Sequence, residues 1–369
     1  MINEKIFKKI KTLNDPLLYK TAKQLNHELK QESLSFFGKI AVKSIINNSI
    51  RLRKKYNNYL ISNPAIKISK INKPIFVMGL PRSGTTYLHN LLINSFNRDG
   101  LKLWELSEPY PILKNKFLDI KLRKFRTYLL YLIYRISTPK IQLMHPVSID
   151  SYEECWHLFK SSLNIFNIDF QFNLTNFGLW IKKNTISQAY SEYKIVLNII
   201  SRLQMKKDLV LKCPDHIFFY ENIKSNFPDS HIIWIHRDPV KTIASYASMM
   251  FEAQNFFLKK TTKKSMGEFV YNRFYLMVNE GLKIRQENNI NLIDVNYNDL
   301  KENPEKLMIT ISKKIDIKIN KSNCSTNIKR FKTLKNKHKY SIEEFGLNKE
   351  KIYKKFDNYI KRYNIIKEY

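Results

Sequence analysis

The chain has 369 residues, 64 basic and 32 acidic side chains, a formal charge of +32 and an isoelectric point near 9.8. Its 43% apolar and 13% aromatic content supports a substantial core and excludes a disordered polymer. Three cysteines, Cys155, Cys213 and Cys324, lack C-x-x-C spacing and indicate neither a disulfide framework nor a zinc site, so a reducing compartment is expected.

Residues 1–70 read as a polar, helical N-terminal extension with 15 basic and 4 acidic side chains, and the apolar run that a signal peptide needs is missing. A short apolar strand, IFVMG, follows at 75–79, then a loop, GLPRSGTT, and a helix from Thr85 to about Phe96. Residues 100–185 interrupt the rhythm with an acceptor-side insertion rich in aromatics, among them Trp104, Tyr110, Trp156, Phe159 and Trp180, most of them expected in a core. Within it the run YLLYLIYRI at 128–136 is too short to span a bilayer. An amphipathic helix is predicted over 186–204, then a strand, DLVLK, at 208–212 and a helix near 216–226. The strand HIIWIH occupies 231–236, Asp238-Pro239 opens a further helix, and NLIDVNY supplies another strand. Short apolar runs separated by helical patterns predict an α/β fold, a mainly parallel central sheet flanked by helices in three layers, with ligands bound at its carboxyl edge. Residues 71–369 are taken as one domain carrying the insertion. Residues 301–369 hold 19 basic and 8 acidic side chains, so the two ends carry most of the charge. Dispersed lysine of this kind reads first as a solvated face, although nucleic acid, an anionic membrane and acidic small molecules are all physically reasonable partners.

The loop after the first strand is one residue short of a nucleotide-hydrolysing phosphate loop. In G-x-x-x-x-G-K-[ST], Gly79 and Gly84 match the glycines and Thr86 the final hydroxyl, but Thr85 stands where the lysine reaches the β- and γ-phosphates. Two later segments bear on that absence: LVLKCPDH at 209–216, a strand ending in Lys212, and IHRDPVKTIASYASM at 235–249, a strand ending in Arg237 with Ser245 eight residues on.

Taken in this order, the three segments closely resemble the sulfotransferases that use 3′-phosphoadenosine 5′-phosphosulfate, in particular the broad bacterial-type family related to the tyrosylprotein enzymes. The resemblance runs from about residue 74 to the C-terminus and includes KHKYSIEEFGL at 337–347. It implies that Arg82, Ser83, Gly84, Thr85 and Thr86 hold the 5′-phosphosulfate. Arg237 and Ser245 would hold the 3′-phosphate, and Lys212 would steady the sulfuryl group. The chemistry is consistent: a transferable sulfuryl group of low charge has less need of the missing lysine or of a bridging magnesium, while a separate 3′-phosphate dianion suits an arginine fork. No metal is expected. Read singly, Arg-Asp-Pro is a helix start capped by Asp238, and a helical serine does nothing.

The acceptor's proton needs a base. Glu105 in WELSEP is the first candidate, with His145 next and Glu153 and Glu154 behind it. The expected partners are the nucleotide cosubstrate and a hydroxyl-bearing acceptor (phenol, lipid, sugar or peptide) in a soluble, cytoplasmic setting without nucleic acid. Two other readings stay open. A phosphate-loop small-molecule kinase would want the absent lysine and a strand-end carboxylate, for which Asp215 is a weak substitute. A basic anionic-polymer-binding module would want arginine clusters and exposed aromatics on one face.

Overall fold

The structure, a computed structural model, describes residues 2–68, 70–287, 292–332 and 341–369. Residues 337–340 of the segment KHKYSIEEFGL lie outside it, as does Asn291 of the run NLIDVNY. Among the described residues four strands form one parallel sheet: β1 (Ile75–Gly79), β2 (Val210–Lys212), β3 (His231–His236) and β4 (Ile293–Asn296), in the order β2-β1-β3-β4. Every residue of β1 and β2 is buried, as continuous Val, Ile, Leu and Phe runs require when both faces of a sheet are covered. The register places Val77 beside Lys212 and Gly79 beside Ile235, so β2 ends level with the middle of β1 while β3 runs one residue past its end.

The sheet belongs to a unit made of residues 72–101, 207–251 and 262–369. The helix Thr85–Ser95 leaves the end of β1, and His89 fastens it to the neighbouring strand through a ring nitrogen 2.9 Å from the Val210 carbonyl. The helix Lys263–Glu287 lies against Trp234 of β3 at Gly281, where an added Cβ would come within 2.6 Å of the indole. The helix expected near 216–226 is two pieces, a 3-10 turn at Pro214–Phe218 and an α-helix at Tyr220–Asn226. Pro214 in the first turn and the extended Cys213 before it favour the tight start.

Residues 1–71, 102–206 and 252–261 form a second, helical unit. The N-terminal residues therefore share one compact unit with residues 102–206 and 252–261. Arg53, on the helix Phe36–Ser62, shows why: it is 1% exposed and bonds Glu192 at 2.8 Å, Asp15 at 3.2 Å and the Ser161 carbonyl at 3.2 Å. One guanidinium thus joins three separated stretches of sequence. Trp104, Tyr110, Phe159, Phe166, Phe170, Phe172 and Phe177 are buried as expected, while Trp156 and Trp180 are half-buried.

Replacing Arg53 with Met leaves Glu192 and Asp15 without their cation, and a broken pair of this kind costs about 3 to 5 kcal/mol. Arg53→Met is expected to lower the unfolding free energy by that amount, read as a lower denaturant midpoint at unchanged m, and an unchanged midpoint would show that the helical unit does not depend on the junction.

Candidate active site at the carboxyl edge of the sheet

The loop between β1 and the helix Thr85–Ser95 turns through two residues of left-handed conformation, Arg82 at φ 70° and Gly84 at φ 95°. Alternation of this kind is how successive main-chain N–H groups form an anion-binding concavity. Gly84 is required twice over, because an added Cβ would meet the Tyr297 ring at 2.9 Å as well as sit at that φ. The Ser83 hydroxyl is buried with no hydrogen-bond partner among the described residues, an unmet polar group inside the loop.

The cation missing from the loop is supplied by the neighbouring strand. Lys212, the last residue of β2, is fully buried and donates to the Thr86 hydroxyl at 3.3 Å. The lysine therefore arrives at the first turn of the loop helix through strand pairing instead of through the loop sequence. Asp215, just beyond, is 8% exposed and takes a long contact of 3.8 Å from the Cys213 thiol. His216 is buried beside Phe76, and burial pushes its imidazole down to about 3, so it is a neutral core residue.

On the other side of β1, Arg237 follows β3. Its guanidinium donates to the Arg82 carbonyl at 2.9 Å and lies 3.8 Å over the Tyr297 ring, and it grips both oxygens of Glu368, at 2.6 and 2.7 Å. Arg82 in turn donates through Nε to the Ser245 hydroxyl at 3.0 Å. Arg82, Arg237 and Ser245, which the resemblance groups as nucleotide ligands, are thus brought together. A recess at this edge is lined by Arg237, Asp238, Tyr297, Asn298 and Glu368.

Asp238 is fully buried and does serve as the helix start. Its Oδ1 accepts from the Val240 N–H at 2.8 Å, and its Oδ2 accepts from the Tyr353 hydroxyl at 3.0 Å and the Glu368 N–H at 2.6 Å. Behind it, buried His236 stacks on Tyr363 at 3.7 Å and bonds Asp294 at 3.0 Å. Burial pushes that ring below the ordinary imidazole range in spite of Asp294. Tyr297 and Glu368 are the site residues that the sequence reading missed. No local motif marks them, and only the Asn296–Tyr297 junction at the end of β4 hinted at an edge position.

The candidate bases belong to the helical unit. Glu105 is 2% exposed in the helix Leu103–Ser107, where it accepts from the Lys102 N–H at the helix start and from Lys206 Nζ, both at 2.7 Å. His145, by contrast, is partly exposed, with Nε2 3.8 Å from an oxygen of the buried Glu153, while Glu154 takes the N-cap position of the 3-10 turn Cys155–Ser162. Glu108, the other carboxylate of WELSEP, is raised by burial but lowered further by Arg51, Lys55 and Arg126, which hold it ionised.

The Sulfotransferase family model matches residues 74–321, about two-thirds of the chain. Two solved structures are similar over almost the whole length. Sulfotransferase STF9 from Mycobacterium avium is 19% identical with a TM-score of 0.83, covering 99% of this chain and 97% of that one. Sulfotransferase STF1 from Mycobacterium tuberculosis H37Rv is 20% identical with a TM-score of 0.73, covering 96% and 93%. At these identities the likeness is one of fold. No curated protein matches the sequence.

The loop geometry is open to a direct check. Gly84→Ala combines left-handed strain with overpacking against Tyr297 and is expected to cost about 2 kcal/mol or more. The double variant with Tyr297→Ala should recover the steric part, and a fully additive cycle in thermal unfolding would show that the two residues are not in contact.

Proposed function

Because the chain belongs to the sulfotransferase family, we propose that it moves a sulfuryl group from 3′-phosphoadenosine 5′-phosphosulfate to a hydroxyl or amine acceptor by in-line displacement, without metal. The observation that carries this reading is the state of Arg237: its fork already holds a carboxylate, bidentate, beside the phosphate loop. A planar donor fork that takes both oxygens of a carboxylate also takes two oxygens of a phosphate. A kinase reading would leave that second anion receptor without a purpose.

In this assignment Arg82, Ser83, Gly84, Thr85 and Thr86 hold the 5′-phosphosulfate, the buried Ser83 hydroxyl gaining a partner that it does not find among the described residues. Arg237 and Ser245 hold the 3′-phosphate, with Tyr297 supporting the guanidinium from below. Lys212 acts where charge develops: as the bond from sulfur to the leaving phosphate oxygen stretches, a cation beside the loop helix stabilises the oxygen that gains charge. His145, open and backed by the Glu153 carboxylate, takes the acceptor proton. Glu105 keeps its helix start and its Lys206 pair, so we assign it to structure ahead of catalysis.

Calorimetry with 3′-phosphoadenosine 5′-phosphate in a chelator tests the donor. Binding at micromolar strength or tighter, about 8 kcal/mol, is expected, and preference for ATP with magnesium would replace this reading by the kinase. Arg237→Ala should weaken that nucleotide by about 2 to 4 kcal/mol and leave one lacking the 3′-phosphate almost unchanged. Glu368→Gln should strengthen it, because the competing carboxylate is removed.

The base is tested separately. His145→Ala is expected to cut transfer to an alcohol by about 100-fold, to spare an acidic phenol, and to leave the melting temperature in place. Glu105→Gln is expected to lower the melting temperature together with activity on every acceptor. If Glu105→Gln instead spares the fold and the phenol while losing the alcohol, Glu105 is the base.

A further inference from the structure

The helix Lys116–Ser137 is amphipathic in the wrong sense for a globular protein. Its polar side chains Asp119, Arg123 and Thr127, at i, i+4 and i+8, are the buried ones. Asp119 accepts from the Ile112 and Leu113 N–H groups at 2.6 and 3.0 Å. Arg123 donates to the Glu108 carbonyl at 2.7 Å and lies over the Trp104 ring at 4.8 Å. The opposite face is apolar and in solvent: Phe117, Phe125, Tyr128, Leu129, Ile133 and Ile136 are between 44% and 72% exposed. At 100° per residue they fall within less than half of the circumference, along a helix about 33 Å long. An exposed stripe of that extent marks an interaction surface.

The charges around the stripe identify what it meets. The helix carries six basic residues and one acidic, and the acidic one is buried against Arg123. Lys121 and Arg135 stand exposed within the apolar arc, with Lys121 over the Phe117 ring at 4.2 Å, in a chain of net charge +32. Two copies facing through this stripe would set the same cations against each other. An anionic lipid surface accepts both halves of the pattern, the apolar arc at the acyl boundary and the cations among the headgroups. No helix among the described residues is long and apolar enough to cross a membrane, so the contact lies in the plane of the surface.

We infer that the helix Lys116–Ser137 docks the protein on anionic bilayers. The full chain is expected to float with vesicles of phosphatidylcholine and phosphatidylserine at 7:3 and to remain behind with phosphatidylcholine alone. Phe125→Glu combined with Ile133→Glu should lower the bound fraction by about tenfold or more with an unchanged circular dichroism melt, since both side chains are in solvent. Phe125→Trp gives an independent reading that leaves the stripe apolar: the emission of the introduced indole should shift to the blue on the anionic vesicles and be quenched by brominated acyl chains. The proposal fails if the full chain does not float, if the double variant floats equally well, which would assign binding to dispersed lysines, or if the indole emission of the Phe125→Trp variant is unmoved. It fails equally if sedimentation finds a dimer that the double variant dissociates while neither protein floats, which would make the stripe a contact between copies.

Discussion

Parallel pairing on both sides of β1 is the constraint from which the site follows. The Cys213 N–H donates to the Val77 carbonyl on one flank. On the other, β3 comes so close that a Cβ on Gly79 would lie 2.6 Å from the Ile235 carbonyl oxygen. Only glycine permits that approach. With both neighbours in register, Lys212 and Arg237 are delivered from opposite sides of β1, Lys212 level with Val77 and Arg237 just past the end of β3. Neither cation needs to be encoded within the loop, and Thr85 can replace the lysine without leaving the loop helix short of positive charge. The His89 bond to the Val210 carbonyl reinforces the arrangement, since it ties the helix that receives Lys212 to the strand that carries it.

The burial of Lys212 makes this delivery meaningful. A lysine in a dry environment raises the energy of its own charged form, so it must be held by structure that does not relax. A strand with every residue buried is such a support, and a flexible loop is not. Arg237 obtains its rigidity differently, from the Tyr297 ring beneath it and the Arg82 carbonyl beside it. Asp238, fully buried with three hydrogen bonds, fixes the turn that carries Arg237 away from β3. The helix start at Asp238 and the bidentate grip of Arg237 on Glu368 are therefore parts of one structure, with the aspartate holding the backbone and the arginine lining the recess.

The strands and the loop were legible in the sequence because IFVMG, LVLK and HIIWI are short apolar runs bounded by polar residues, and because glycine at a turn has few other uses. The order β2-β1-β3-β4 was not, since a strand buried on both faces shows the same composition in any position of a sheet. The link among Arg82, Arg237 and Ser245 was legible only through the order of three motifs. Tyr297 and Glu368 were invisible, being common residue types whose role depends on contacts far away in the chain. The make-up of the helical unit was not legible for a related reason: Arg53 looks like one more surface cation until Asp15 and Glu192 close on it from both sides of the sequence. The helix Lys116–Ser137 offered two stripes at helical spacing, one apolar and one made of Asp119, Arg123 and Thr127. Periodicity alone favours burying the first. The backbone N–H groups of Ile112 and Leu113 and the carbonyl of Glu108 select the second, because those groups need partners that an apolar side chain cannot provide.

The pairing of Arg237 with Glu368 also shapes what the recess can select. Any ligand that engages the fork must exchange with a carboxylate already making two short, charge-assisted bonds, so a weakly charged or badly shaped group gains nothing by entering. A phosphate dianion can match both bonds and bring further acceptor oxygens and the larger charge. Its advantage over the carboxylate comes from the neighbours: the Ser245 hydroxyl and the Arg82 side chain form one hydrogen-bonded pair alongside the same guanidinium. On the assignment proposed above, selectivity for a nucleotide phosphorylated at a second position would arise from competition within the chain, with Glu368 setting the threshold that the ligand must exceed.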